Sequence, residues 1–508
     1  MNVSFNDIKA AATYQPKFPP YAHQVEALRR LREALKAGRQ YYALLMAMRT
    51  GKTKTTLDWF GELVVGGLCD DLAIIAPGGV YRTWVTAIAD HVPDGFLNVH
   101  IWNGGKTVAE RDALEKFLAN KSKPRALLIN VEALSVVDRA MDLIKAFLSQ
   151  RRSLCAVDES TIIKNYDSAR TIFIVEQLAP LSNFRLILSG LVAPRSPLDI
   201  FTQYEFLSPR ILGIRSFFGF RARFAIIKQK KFFNSGKLDK DGNPVGRNVQ
   251  LVVGYRDPEE LHARIDPHSY RVRLEDCVDL PPKLYAPRHV AMTAEQTRIY
   301  RELKMFATAE LGLMSHVTVS NVITQILRLH QVLLGHTVDE DGVEHEIPEN
   351  RTKELMLLLD ELEDDQKAII WCSYDLDVRK VTAALIKEYG PQSVARFWGG
   401  NVKTREMEEA QFKTLPECRF MVATQSAGGR GRTWDVANTV VYYSSTNNLE
   451  HRIQSEERAI SIAKNARSIL YVDLLVPGTV ETKIIDALRK KLDLASLVQG
   501  DDYQQWLI

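Results

Sequence analysis

Between Tyr41 and Leu57 the chain changes from one hydrophobic pattern to another. Tyr41 to Met48 is dominated by apolar and aromatic side chains and predicts a buried strand; Arg49-Thr50-Gly51 predicts a tight turn, and Lys52-Thr53 opens a stretch with helical spacing. The unit recurs. Asp71 to Pro77 (DLAIIAP) predicts a strand ending in a turn, Tyr81 to His91 a helix carrying Trp84, and Ala126 to Asn130 and Ser153 to Val157 two further strands. Strands alternating with helices predict a parallel sheet whose ligands lie at the strand C-terminal ends. Met292 to Leu334 has a helical pattern, and Val338 to Glu349 reads as an acidic, turn-rich link. A second series starts near Lys353, with strands predicted at Ala368 to Cys372, Phe420 to Thr424, Thr439 to Tyr443 and Ile469 to Leu475. The fold class expected is α/β, with two tandem parallel-sheet lobes.

Two of the strand ends carry candidate chemistry. At the first, backbone N–H groups of the Arg49-Thr50-Gly51 turn and of the following helix N-terminus form a phosphate cradle. Lys52 is placed to reach β- and γ-phosphates, and the Thr53 hydroxyl to complete a Mg²⁺ shell. The full GxxxxGK[ST] pattern needs glycine at 46, where this chain has Met46. At the second, the strand from Ser153 ends in Asp158-Glu159-Ser160-Thr161. Adjacent carboxylates there suit a nucleotide site, Asp158 holding Mg²⁺ through water and Glu159 polarising the attacking water. Upstream, Phe18-Pro19-Pro20-Tyr21-Ala22-His23-Gln24 precedes a helix. Gln24 can read an adenine edge by paired hydrogen bonds, with Tyr21 near it to stack.

Composition alters this picture at one place. The 508 residues, 46% hydrophobic and 25% charged with net charge +4, describe an ordinary globular chain with room for about three domains. Five scattered cysteines without CxxC spacing argue against a disulfide framework or zinc site, and no signal-like or membrane-length segment stands out. A cytoplasmic monomer without membrane contact is the expectation. From Arg215 to Arg247, however, nine Lys or Arg, among them Lys228, Lys230 and Lys231, face two acids and are interleaved with six phenylalanines. Two readings stand: a DNA-facing protrusion, with cations on phosphates and aromatics as wedges, or a solvated basic hairpin around Lys240-Asp241-Gly242-Asn243 whose phenylalanines pack its base.

The motifs together resemble the SNF2-like branch of superfamily-2 helicases. GKT, DEST followed by IKN, and RLILSG with SPLDIFTQYEFLSP look like motifs I, II and III; Ala76-Pro77 with Trp84 resembles motif Ia. KAIIWCSY, TQSAGGRG and QSEERAISIAK fall where motifs IV, V and VI belong, so the likeness runs from about Phe18 to Lys490. It is nearest to compact phage and bacterial members. The resemblance implies two RecA-like lobes: 1–210 with motifs I to III, a basic protrusion over 211–290, a helical connector over 291–352, and 353–508 with motifs IV to VI. It implies ATP and Mg²⁺ as cofactors and duplex or branched DNA as partner, in a prokaryotic or phage-infected cell, alongside phage or host replication and recombination proteins. ATP contacts are expected from Arg49, Thr50, Gly51, Gly429, Gly431 and Gln454, a finger from Arg458, and DNA contacts from Pro77, Trp84 and Ser426. Three departures bear on activity. Motif III reads Ser189-Gly190-Leu191-Val192, lacking the second hydroxyl; Thr161 replaces a polar relay residue; and Ser461 stands where a second arginine belongs, with Arg430, Arg432 or Lys464 as substitutes. A weakened, ATP-gated scaffold is therefore the alternative to an active motor.

Overall fold

The computed structural model describes residues 14–78, 80–238, 244–277, 282–313, 319–339, 342–428, 433–460 and 468–499. They form two compact units, each built on its own sheet.

The first sheet takes its strands from β1 (Tyr41–Met46), β2 (Asp71–Ala76), β3 (Asn98–Ile101), β4 (Arg125–Asn130), β5 (Ser153–Asp158) and β6 (Phe184–Leu188). After the hairpin β7 (Ala225–Leu238) and β8 (Pro244–Tyr255), β9 (Ser269–Val272) completes it. The order is β3-β4-β2-β5-β6-β1-β9 and every pairing is parallel. Helices cover both faces, so the inner strands are apolar throughout rather than alternating. Leu45, Ile75, Ile129 and Val157 fill one face, and Leu44, Ile74, Leu128 and Leu154 the other. At the opposite end from the strand C-termini, Arg125 Nη2 meets Asp71 Oδ2 at 2.6 Å with both side chains fully buried, tying the starts of β4 and β2.

The second sheet adds β10 (Lys283–His289), then, past the small hairpin β11 (His336–Val338) and β12 (Glu344–Glu346), β13 (Ala368–Cys372), β14 (Val394–Phe397), β15 (Phe420–Thr424), β16 (Thr439–Tyr442) and β17 (Ile469–Leu475). Its order is β10-β17-β16-β13-β15-β14, again all parallel.

The expected boundaries at 211–290 and 291–352 need correction. Tyr270 and Val272 are buried in the first unit's core, so β9 extends that sheet, whereas β10 belongs to the second. The helices Ala294–Leu313 and Val319–Leu333 are not a separate connector, because Tyr300, Leu329, Val332 and Leu333 are buried in the second unit's core. What remains of the protrusion is the two-stranded β7–β8 hairpin. For the aromatics beside it the structure favours packing: Phe220 and Phe224 are buried, and Phe217 stacks on Tyr166 with ring centroids 3.9 Å apart, leaving Phe218 exposed.

A buried arginine holds the second unit together. Arg351 Nη2 donates to both Glu481 carboxylate oxygens (2.6 and 2.7 Å), and Nη1 to the carbonyls of Tyr443 and Leu474 at 2.7 Å. Burial pushes the Glu481 carboxyl up, and the Arg351 charge, His330 and the Val476 N–H together more than offset that, holding it below the usual range. Arg351→Ala strands this carboxylate and is expected to destabilise the unit by about 3–5 kcal/mol, whereas an apolar pair, Arg351→Met with Glu481→Leu, recovers most of the loss. Denaturant titration of the three proteins checks both.

Candidate nucleotide site

The site begins where β1 ends. The chain leaves Met46, turns through Arg49 (φ 66°) and Gly51 (φ 84°), and enters α2 (Lys52–Val65); α1 (Ala22–Lys36) lies upstream. Both residues are left-handed, a conformation cheap only for glycine. Gly51 is further constrained, since a Cβ there would lie 2.1 Å from Gln24 Nε2. Lys52 is almost buried, and its Nζ donates to the carbonyls of Met46 (2.8 Å) and Ala47 (3.3 Å) across the mouth of the turn. Its ammonium thus occupies the position from which an anion on the helix N-terminus is reached. Thr50 Oγ1 bonds the Ala47 carbonyl at 2.8 Å, and Thr53 is half-exposed one residue into the helix.

Gln24 is buried and braces this loop. Its Nε2 donates to the Thr50 carbonyl at 3.1 Å, and its Oε1 accepts from Tyr21 N at 3.1 Å. The free, base-reading amide expected from the sequence is thus engaged at both ends. Tyr21, by contrast, is 68% exposed and stacks on His23, with centroids 6.0 Å apart and planes at 13°.

Two strands along, β5 brings the carboxylates to the same edge, about 10 Å away at ordinary strand spacing. Asp158 is buried. Its Oδ1 accepts from Glu159 N at 2.9 Å and its Oδ2 from Trp84 Nε1 at 2.8 Å. Burial pushes its carboxyl up, opposed by the Lys52 charge, the Trp84 N–H and the Glu159 N–H. Glu159 is half-buried and left-handed, φ 47° and ψ 59°, the kind of strain that clusters at functional sites. Between the two strand ends, Gly190 follows β6 so closely to the loop that a Cβ would come within 3.6 Å of Ala47 Cα.

Gln203, given no role of its own in the sequence reading, joins motif II to the motif III stretch. On the helix Ile200–Leu207, fully buried, it accepts from Ser160 Oγ at 2.6 Å and donates to the carbonyls of Val192 and Asp199, both at 2.7 Å. Its only signal was an amide amid the apolar run IFTQYEFL. Gln203→Leu leaves a buried hydroxyl and a carbonyl without their partner, and a loss of about 1–3 kcal/mol of stability is expected in thermal or denaturant melts.

The expected DNA contacts separate. Trp84 on α3 (Tyr81–His91) is fully buried against Asp158, which corrects its assignment, and Pro77 is likewise buried at the end of β2. Ser426 and Lys228 are exposed; the side chains of Lys230 and Lys231 lie outside the described residues. In the second unit Arg458 is buried, its Nε donating to the Gln454 carbonyl at 2.7 Å, which differs from the extended finger expected. Gln454 is also buried. Gly429, Arg430, Gly431, Arg432, Ser461 and Lys464 lie outside the described residues. Among the described residues no helix is long and apolar enough to cross a membrane.

The chain is 23% identical over 473 residues to TATA-binding protein-associated factor MOT1 of Saccharomyces cerevisiae, covering 84% of this chain and 24% of that protein. It is 23% identical over 440 residues to a putative ATP-dependent helicase/translocase, YwqA, of Bacillus subtilis, covering 85% and 43%. The chain thus spans less than half the length of these relatives. The Sulfolobus solfataricus SWI2/SNF2 ATPase core in complex with dsDNA aligns over 97% of this chain and 96% of that one, at 18% identity and a TM-score of 0.42. The helicase conserved C-terminal domain matches residues 350–463 and the SNF2-related domain residues 24–336, more than half of the chain, which therefore belongs to the SNF2-related family of helicase-like ATPases.

Proposed function

We propose that the protein is a DNA-dependent ATPase that uses hydrolysis to move along or remodel duplex or branched DNA, in replication, recombination or repair. The observation that carries this reading is the meeting of Lys52, Asp158 and Glu159 on one edge of a parallel sheet, with the Lys52 charge acting on the Asp158 carboxyl. The donor set fits a magnesium nucleotide: backbone N–H groups and an ammonium for phosphates, a hydroxyl and a carboxylate for a hard cation. Lys52 leaves the Met46 and Ala47 carbonyls for the β- and γ-phosphates, while Thr53 and Asp158 hold Mg²⁺. The ion, when bound, neutralises phosphate charge. Glu159 takes the proton of the attacking water and Tyr21 stacks on the base. The exposed Lys228 and the basic β7–β8 hairpin supply phosphate contacts to DNA. The likeness to the Bacillus putative helicase/translocase supports the motor reading.

The test is ATP turnover without nucleic acid and with duplex, forked and single-stranded DNA and duplex RNA. Stimulation by duplex or forked DNA is expected. The buried Arg458, together with Leu191-Val192 and Ser461, favours a second reading, an ATP-gated DNA-binding or partner-binding scaffold; binding of DNA without stimulated turnover selects it.

A further inference from the structure

We propose that Trp84 is a positioning residue for the metal-bound nucleotide: its indole N–H fixes the orientation of the Asp158 carboxylate. The inference rests on the reading above, in which Asp158 holds the ion.

The indole does two separable things. Its rings fill core among the residues under β2 and β4, and no part of it is exposed. Any apolar ring could do that. Its Nε1, however, is aimed at Asp158 Oδ2 at 2.8 Å from a helix 74 positions away in sequence. The other oxygen, Oδ1, is held by the N–H of Glu159 at 2.9 Å. One donor on each oxygen fixes rotation about the carboxylate bond and leaves each oxygen further lone pairs for a ligand. The two donors differ in origin. The Glu159 N–H is supplied by the strand end itself and comes with any residue at that position. The Trp84 N–H is supplied by α3, and only tryptophan has it. Indole is a donor with no acceptor capacity, so it supports the ionised, ligating carboxylate and cannot accept from the hydroxyl of a protonated one. Loss of a partner of this kind behind a metal ligand typically weakens metal affinity about 10- to 100-fold.

The experiment compares wild type, Trp84→Phe, Trp84→Leu and Asp158→Asn, measuring binding of a fluorescent ATP analogue by anisotropy as Mg²⁺ is titrated, with melting temperature recorded for each. Trp84→Phe keeps the ring and loses the N–H. It is expected to raise the half-saturating Mg²⁺ about 10- to 100-fold, with binding in EDTA unchanged. Trp84→Leu is expected to raise it equally while melting lower. If Trp84→Phe titrates like wild type while Asp158→Asn is shifted, the positioning role is wrong and the metal-ligand reading survives. If Asp158→Asn is not shifted either, the parent reading falls. If the Mg²⁺ shift appears only in Trp84→Leu and scales with its lost melting temperature, Trp84 is packing alone, and the proposal is overturned.

Discussion

Lys52→Ala is expected to lower ATP turnover by at least about 10²- to 10³-fold, the scale of losing one preorganised group aimed at developing charge, and to remove stabilisation of the protein by nucleotide. The reason lies in the partners of the ammonium. Without nucleotide it is spent on the carbonyls of Met46 and Ala47, both at the mouth of the turn. These accept water once the lysine is gone, but Asp158 loses the charge that opposes its burial, so the variant is expected to fold with a modest loss of stability. With nucleotide, the same ammonium, whose charge already acts on Asp158, opposes phosphate repulsion, and alanine replaces it with nothing. A ligand at 100 times its Kd stabilises its protein by about 2.7 kcal/mol. Melting with and without ATP and Mg²⁺ therefore separates loss of binding from loss of fold. A Lys52→Ala protein that hydrolysed ATP at the wild-type rate would end the nucleotide-site reading.

All the inner strands but β6, which was noted only as part of motif III, were legible because burial on both faces leaves them continuously apolar, as in DLAIIA and AIIWC. The four edge strands were not. β3, β9, β10 and β14 are short or mixed in polarity; NVHI is half-buried throughout and KLYAPRH is largely exposed. An edge has only one neighbour, so its residues carry little of the apolar run that marks a central strand. The same physics misplaced the domain boundary, since SYRV at β9 gave no reason to return the chain to the first sheet.

For the site, what a local motif could encode was visible. The turn, Lys52 and the Asp158-Glu159 pair each follow a buried strand within a few residues. Contacts made across the fold were not visible: Trp84 to Asp158 spans 74 positions and Ser160 to Gln203 spans 43. Neither Trp84 nor Gln203 differs in type from a core tryptophan or a helix glutamine. Their roles come from which atom the packing aims at which, and periodicity carries no record of that. Gln203 also changes the meaning of the altered motif III, because a glutamine later in the same stretch ties the Val192 carbonyl to motif II.

Glu159→Gln is expected to cut turnover by about 10²- to 10⁴-fold, the usual contribution of a general base, while nucleotide and DNA binding persist. Glutamine keeps the shape and removes the basicity. The backbone tells why this position is suited to the role. A left-handed non-glycine residue costs on the order of 1–3 kcal/mol, and here two contacts hold it: its N–H on Asp158 Oδ1 at 2.9 Å, and its carbonyl accepting from Ile162 N at 3.0 Å. The strain turns the side chain out of the strand line, beside the carboxylate assigned to the metal. Glu159→Gly then makes a sharper companion. It relieves the left-handed penalty and is expected to melt at or above the wild-type temperature, yet to be as inactive as the glutamine variant, the mark of a residue kept for chemistry at the expense of stability. Single-turnover phosphate release, read beside melting curves, tests both. Wild-type phosphate release from the glutamine variant would move the base to another group. A glycine variant that melted well below wild type would show that Glu159 is held there for structure.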